Sequence, residues 1–249
     1  MQLQVAHGPA QQCAILRPAA AGLYGAVVLA LALCQPARGA DTVQRLVIGT
    51  PAGLPGYELV DDNQLKISDP YKKAFTDCIA SRLNAGFVWQ SLPTKRVLQM
   101  LEAGEIDMAY PMGFTEERAA SLLPSSPAWQ NPDVLVSLHA VDMRDLHLRL
   151  AARLGSPQHA DYLAEGYARV TGVYAYEELA GLLERAQVDV VIVPRSVYAE
   201  QKALWPPKAM VTAGKPRASG FYLNKDDPKK LQKPLNAAIA RCKDASSSR

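Results

Sequence analysis

The chain has 249 residues, 49% of them hydrophobic and 20% charged, with a formal net charge of +3. That composition is ordinary for a globular protein and is long enough for one large domain or for two lobes with separate cores. The small charge excess and the lack of any basic run argue against a nucleic-acid partner.

Residues 1–39 read as a signal peptide. Arg17 precedes an uncharged apolar run, AAAGLYGAVVLALALC, followed by QPARGA. Ala37 and Gly39 are small residues at the positions a signal peptidase reads, which puts cleavage before Ala40 and the mature protein in the periplasm. The run is short for a membrane span of roughly 20 apolar residues; a retained anchor is the alternative. Cys34 follows Leu33 rather than a small residue, which argues against lipidation. Cleavage would remove Arg17 and Arg38 and no acid, so the net charge falls from +3 to +1. Only Cys78 and Cys242 would remain, both in helix-like segments. An oxidising compartment favours their pairing; two free buried thiols is the alternative.

In chain order, RLVIGT reads as a buried strand followed by a Gly/Pro loop, PAGLPGYE. SDPYKKAFTDCIASRLNAG reads as a helix, with Ser68 or Asp69 as cap, Pro70 in the first turn, and Phe75, Ile79 and Leu83 on one face. FVWQSL is a second strand. TKRVLQMLEAG is a second helix, capped by Thr94 and ended at Gly104. IDMAYPM is a third strand and PDVLVSLH a later one. Strands alternating with helices imply an α/β fold with mainly parallel strands. LEAGEID (101–107) matches LERAQVD (183–189), and each runs from a helix end into an apolar strand that stops at a proline, Pro111 or Pro194. The same helix-to-strand return built twice fits two α/β lobes.

The stretch DMAYPMGFTEER carries the candidate site. Ligands of open α/β sheets collect beyond the carboxyl ends of the strands, and this strand runs directly into GFTEER. Thr115 suits an N-cap, and Glu116 and Glu117 suit the first turn. Arg118 can then reach back and grip a carboxylate with two N–H groups, aided by the backbone N–H groups at the helix start.

From Leu46 to about Lys243 the chain resembles the family 3 extracellular solute-binding proteins, the periplasmic amino-acid-binding group. The stretches that carry the resemblance are LVIGTPAGLPGYE, FTDCIASRLN, LEAGEIDMAYPMGFTEERAASL, SSPAWQNPDVLVSL, LLERAQVDVVIVP and GFYLNKDDPKKLQKPLNAAIARC, in the family's order. The resemblance implies a type II periplasmic-binding-protein fold: two lobes, each a mostly parallel sheet flanked by helices, with a ligand cleft between them. It places lobe one at 44–138 plus 214–245 and lobe two at 139–213. Cys78 and Cys242 would then share a lobe, which strengthens the disulfide reading. The arginine of the family's T-x-x-R stretch holds the ligand's α-carboxylate and corresponds to Arg118 in TEER, with Thr115 and Gly113 beside it. The family's G-T-T-Q-like turn corresponds to GSPQ, where Ser156 is the candidate and Pro157 has no N–H to donate. Tyr57 and Trp129 are the aromatic candidates at the ligand, with Tyr110 behind them.

Departures from the family pattern bear on the ligand. Amino-acid binders carry an aspartate after the second lobe's V-D strand that pairs with the α-ammonium; here Pro194 stands there, followed by Arg195. A buried ammonium without a carboxylate is costly, so a non-amino carboxylate or another small anion suits Arg118 and Arg195 better, unless Glu58, Asp61 or Glu200 supplies the missing acid. The expected function is capture of a small carboxylate-bearing solute, an amino acid or other organic anion, for transport by a separate membrane permease of the ABC type. The expected protein is a monomer without cofactor, metal or catalytic residues. The alternatives are a ligand sensor without transport and a periplasmic enzyme of the cyclohexadienyl dehydratase kind, with Glu58 or Glu117 as general acid. Tyr198 and Lys202 have a Y-x-x-x-K spacing without a dinucleotide loop and read as helix surface.

Overall fold

The computed structural model describes residues 43–60 and 63–247, with side chains described up to Lys243. The expected signal peptide (1–39) and its expected cleavage site lie outside the described residues, as does Asp61.

The first lobe starts with strand β1 (Gln44–Pro51), which buries Leu46 and Ile48. After the Gly/Pro loop, a hairpin of β2 (Tyr57–Val60) and β3 (Gln64–Ile67) precedes helix α1 (Pro70–Arg82). Of the two candidate caps it is Asp69 that serves, accepting from the N–H groups of Tyr71 and Lys72. Phe75 and Ile79 face the core, and Leu83 packs against it from the C-cap position. Strand β4 (Ala85–Leu92), helix α2 (Thr94–Glu102) and strand β5 (Met108–Gly113) follow, and α2 buries Val97 and Leu101. Thr94 is not the cap of α2: Pro93 occupies that position and no side chain caps the helix. The Thr94 hydroxyl instead accepts from Arg153 across the cleft.

Helix α3 (Glu116–Ser121) and the short strands β6 (Leu122–Pro124) and β7 (Trp129–Gln130) complete the first pass through this lobe. The chain then crosses to build β8 (Asp133–Ser137), β9 (Arg149–Arg153), α4 (Pro157–Ala164), β10 (Arg169–Val173), α5 (Glu177–Glu184), β11 (Val190–Pro194), α6 (Arg195–Glu200), a 3-10 turn and β12 (Met210–Ala213). It returns through β13 (Ala218–Asn224) and ends in α7 (Gln232–Ser247).

Two sheets result, ordered β4-β1-β5-β13-β6, with β7 also on β13, and β10-β9-β11-β8-β12. The βαβ strands β4-β1-β5 and β10-β9-β11 are parallel, as the alternation of elements implies. The strands next to the crossings, β13 and β8, lie antiparallel to them, because each enters its sheet from the opposite lobe. The expected boundary at residue 138 therefore moves. Strand β8 hydrogen-bonds to β11 and β12, so the first crossing lies before Asp133. The two crossing segments pair with each other: Asn131 N donates to Arg217 O (2.8 Å), Asp133 N to Lys215 O (2.9 Å) and Gly214 N to Asp133 O (2.9 Å).

The internal sequence match has a structural counterpart. In the first lobe Asp107 exchanges with Val47 on β1: its N–H donates to Val47 O (2.9 Å) and its carboxylate accepts from Val47 N (2.9 Å). In the second lobe Asp189 does the same with Arg149 on β9, at 2.8 Å in both directions. The left-handed turn residues that precede them are Gly104 (φ 72°) and Ala186 (φ 51°). Cys78 and Cys242 form a disulfide that ties α1 to α7 within the first lobe, with Cα atoms 5.9 Å apart.

Candidate functional site

The carboxyl ends of β1, β5, β9 and β11 converge on one cavity of about 210 Å³ between the lobes. A cavity of this volume is below the ~300–1,000 Å³ usual for drug-sized ligands. Pro51, Pro111, Gly113, Arg153 and Pro194 are the strand-end residues in its wall.

Of the residues singled out by sequence, Arg118, Gly113, Tyr57, Trp129 and Ser156 line the cavity. Thr115 and Tyr110 do not. Thr115 caps α3, its hydroxyl accepting from Arg118 N at 3.1 Å, and thereby sets the direction in which Arg118 leaves the helix. Tyr110 is fully buried one layer back, where its hydroxyl accepts from Trp129 Nε1 (2.9 Å) and its ring meets Tyr57 edge-on. Burial raises its pKa to about 12, so it stays a neutral phenol that holds Trp129 in place. Gly113 gives room: a Cβ there would stand 3.0 Å from Pro157 Cγ of the other lobe.

Arg118 is only 8% exposed. One of its terminal nitrogens donates to Gly113 O (2.8 Å) and the other to Gly155 O (2.9 Å) in the second lobe. It makes no ion pair among the described residues, and burial lowers its pKa from the ordinary arginine value. Gly155 and Ser156 belong to the GSPQ turn. Ser156 caps α4, accepting from His159 N at 3.2 Å, and Pro157 fills the first helical turn, where its missing N–H costs nothing.

The sequence reading missed Arg153. It ends β9, is 7% exposed, and points across the cleft in the opposite sense to Arg118. Its guanidinium donates to Ala52 O and, at 3.3 Å, to Thr94 Oγ1 in the first lobe, and to Tyr174 O (3.3 Å) in the second; it also lies 5.4 Å from the Tyr176 ring centre. The available signal was the one used for Arg118: an arginine where an apolar strand runs into a Gly/Ser turn.

Arg195 is corrected. It lies on the exposed side of α6 and is not in the cavity wall. Pro194 is in the wall, and its register partner on the next strand is Asp133. Asp133 does not replace the missing aspartate. Its carboxylate is fully committed, accepting from Gln158 Nε2 (2.6 Å) and Arg217 Nε (2.6 Å), while Arg217 also reaches Asp161 (2.7 Å). Burial raises the Asp133 pKa, opposed by those two donors. Glu200, on α6, is the one carboxylate in the cavity wall among the described residues, and it is exposed. Glu58 is exposed and faces Lys66 (3.6 Å), and Glu117 is exposed in the first turn of α3; neither lines this cavity. Among the described residues no group of His, Cys, Asp or Glu is placed to hold a metal ion, and no helix is long and apolar enough to cross a membrane.

A cleft between two α/β sheets, entered by strand ends and helix starts from both, is the architecture of two-lobed binding proteins. Residues 46–247 match the bacterial extracellular solute-binding proteins, family 3, and the chain belongs to that family. No curated protein sequence matches it. Similar solved structures include the P235GK mutant of ArgBP from T. maritima, with 17% identity, TM-score 0.66, and coverage of 82% of this chain and 91% of that one. A substrate-binding protein of an ABC uptake transporter from Streptococcus pneumoniae with bound histidine has 19% identity and TM-score 0.66, covering 79% and 86%. The GluR0 ligand-binding core from Nostoc punctiforme with L-glutamate has 18% identity and TM-score 0.66, covering 80% and 93%. At these identities the likeness concerns the fold.

Proposed function

We propose that the protein is an exported, periplasmic binding protein that captures a small carboxylate-bearing solute in the interlobe cleft and presents it to a membrane permease. The observation that carries this reading is Arg118. A buried guanidinium whose partners are two neutral carbonyls retains a full positive charge in a poorly solvated site, and an anion would offset that cost. A carboxylate can take two parallel N–H bonds from it. Ser156, Asn131 and Ser196 in the wall add uncharged polar groups for orientation. The histidine-bound substrate-binding protein of an ABC uptake transporter from Streptococcus pneumoniae, which has this fold, is a precedent for the transport role.

Closure about the paired crossing segments would follow from contacts the ligand makes to both lobes at once. The experiment is thermal unfolding of the mature protein against amino acids, organic acids, aromatic acids, amines and sugars. A ligand at a hundredfold over its dissociation constant adds about 2.7 kcal/mol to stability. Hits confined to carboxylates support the reading; hits confined to amines or sugars refute it.

A further inference from the structure

Two arginines, not one, are buried in this cavity without a counter-charge among the described residues. The other cations in its wall are already paired. Arg217 meets Asp133 and Asp161 at 2.6 and 2.7 Å, and Lys72 lies 3.6 Å from Asp69. Arg118 and Arg153 form no ion pair among the described residues. Their hydrogen bonds go to neutral acceptors only: Gly113 O and Gly155 O for Arg118; Ala52 O, Thr94 Oγ1 and Tyr174 O for Arg153. The bonds are reciprocal. Arg118 leaves the first lobe and reaches a carbonyl of the second; Arg153 leaves the second and reaches the first. Each keeps N–H groups beyond those it spends on the protein. Glu200, the one carboxylate in the wall among the described residues, is exposed and so does little to offset two buried guanidiniums.

We propose that Arg153 is a second anion-binding residue and that the ligand is a small dicarboxylate, with one carboxylate held by Arg118 and the other by Arg153. The proposal rests on the carboxylate reading of the cleft and adds the second acidic group. It also assigns a role to the reciprocal bonds: a dicarboxylate spanning the two guanidiniums touches one charged residue from each lobe, so full affinity requires the closed arrangement. A monocarboxylate satisfies one guanidinium and leaves the other buried and unpaired.

The test is titration calorimetry of the mature protein with succinate, glutarate and adipate, each against its monomethyl ester, and with glutamate against glutamine. The ester keeps the chain length and removes one charge while adding a methyl group, and the glutamate–glutamine pair removes the charge at nearly constant size. In the wild type the best diacid should bind at least ~10-fold tighter than its ester, the range expected for a hydrogen bond to a charged group. Arg153→Gln should erase that preference while leaving ester affinity within about threefold, and Arg153→Lys, which keeps the charge, should retain part of the preference. Arg118→Ala should weaken diacid and ester alike. Equal wild-type affinity for diacid and ester overturns the proposal, as does a wild type silent to every diacid. So does an Arg153→Gln protein that loses both ligands equally, which would make Arg153 an interlobe latch. Undiminished binding in Arg118→Ala would instead refute the carboxylate reading itself.

Discussion

Ala186→Gly should stabilise the protein, and Gly104→Ala should destabilise it. The two residues occupy the same place in the twice-built helix-to-strand return. Both are left-handed, at φ 51° and 72°, yet only one is glycine. A Cβ in that region costs roughly 1–2 kcal/mol. Glycine gives back about 0.5–1 kcal/mol through the greater freedom of its unfolded state. The difference leaves about 0.5–1 kcal/mol in favour of glycine at either position. Ala186 is exposed, so its methyl group contributes no core packing that the substitution would lose. For a chain of this length, about 2–4 °C per kcal/mol is expected, so Ala186→Gly should raise the unfolding midpoint by about 1–4 °C. Gly104→Ala should lower it by a similar amount. Differential scanning calorimetry of the mature protein at pH 7 reads both. A lowered midpoint for Ala186→Gly would refute the strain argument, and a Gly104→Ala midpoint that rises together with that of Ala186→Gly would refute the equivalence of the two turns.

Replacing both cysteines by serine should cost about 3–5 kcal/mol, since the disulfide closes a loop of 164 residues; urea unfolding with and without reductant should show the loss in the wild type and no reductant effect in the double variant. Arg217→Met leaves the Asp133 carboxylate buried with Gln158 as its one remaining side-chain donor, and should cost about 3–5 kcal/mol. Adding Asp133→Asn should recover much of that, and denaturant titration of the single and double variants checks it. The Asp189 carboxyl is held below its usual pKa by the Arg149 side chain. A depressed folded value means the stabilisation is present above the unfolded pKa of about 3.9 and fades as pH falls through the lower folded value. The wild type should therefore exceed Asp189→Asn in stability at pH 7, and the gap should close below about pH 4 in a pH series of thermal midpoints.

Local patterns in the sequence carried the architecture further than the ligand. The strand–helix alternation, the Asp69 or Ser68 cap and the LEAGEID–LERAQVD match all report short-range chemistry, and each has its counterpart in the fold. So has the Thr115 cap, because a hydroxyl three residues before Arg118 needs only its own helix to act. Thr94 went the other way. Its hydroxyl is drawn to Arg153 from the other lobe, a contact made across 59 residues of sequence that no helix-start rule contains. The lobe boundary slipped for a similar reason: β8 looks like any apolar strand, and only its pairing with β11 and β12 assigns it to the second sheet. Arg195 follows Pro194 directly in sequence, but the first turn of α6 leaves it exposed. Arg153 ends a strand in the middle of LRLAARLGSPQ, and its burial depends on the closeness of Ala52 and Thr94, which that local pattern does not contain.

In the proposed function Arg118 grips the carboxylate of the ligand. The most direct measurement is titration calorimetry of the best carboxylate from the thermal panel against the wild type and Arg118→Ala, at low and at physiological salt. Affinity should fall by about 30-fold or more in the variant, the cost of leaving one member of a buried charged pair without its partner. Binding retained within a few fold at both salt concentrations would contradict it, and would make Arg118 a bridge between Gly113 and Gly155 with no part in ligand capture.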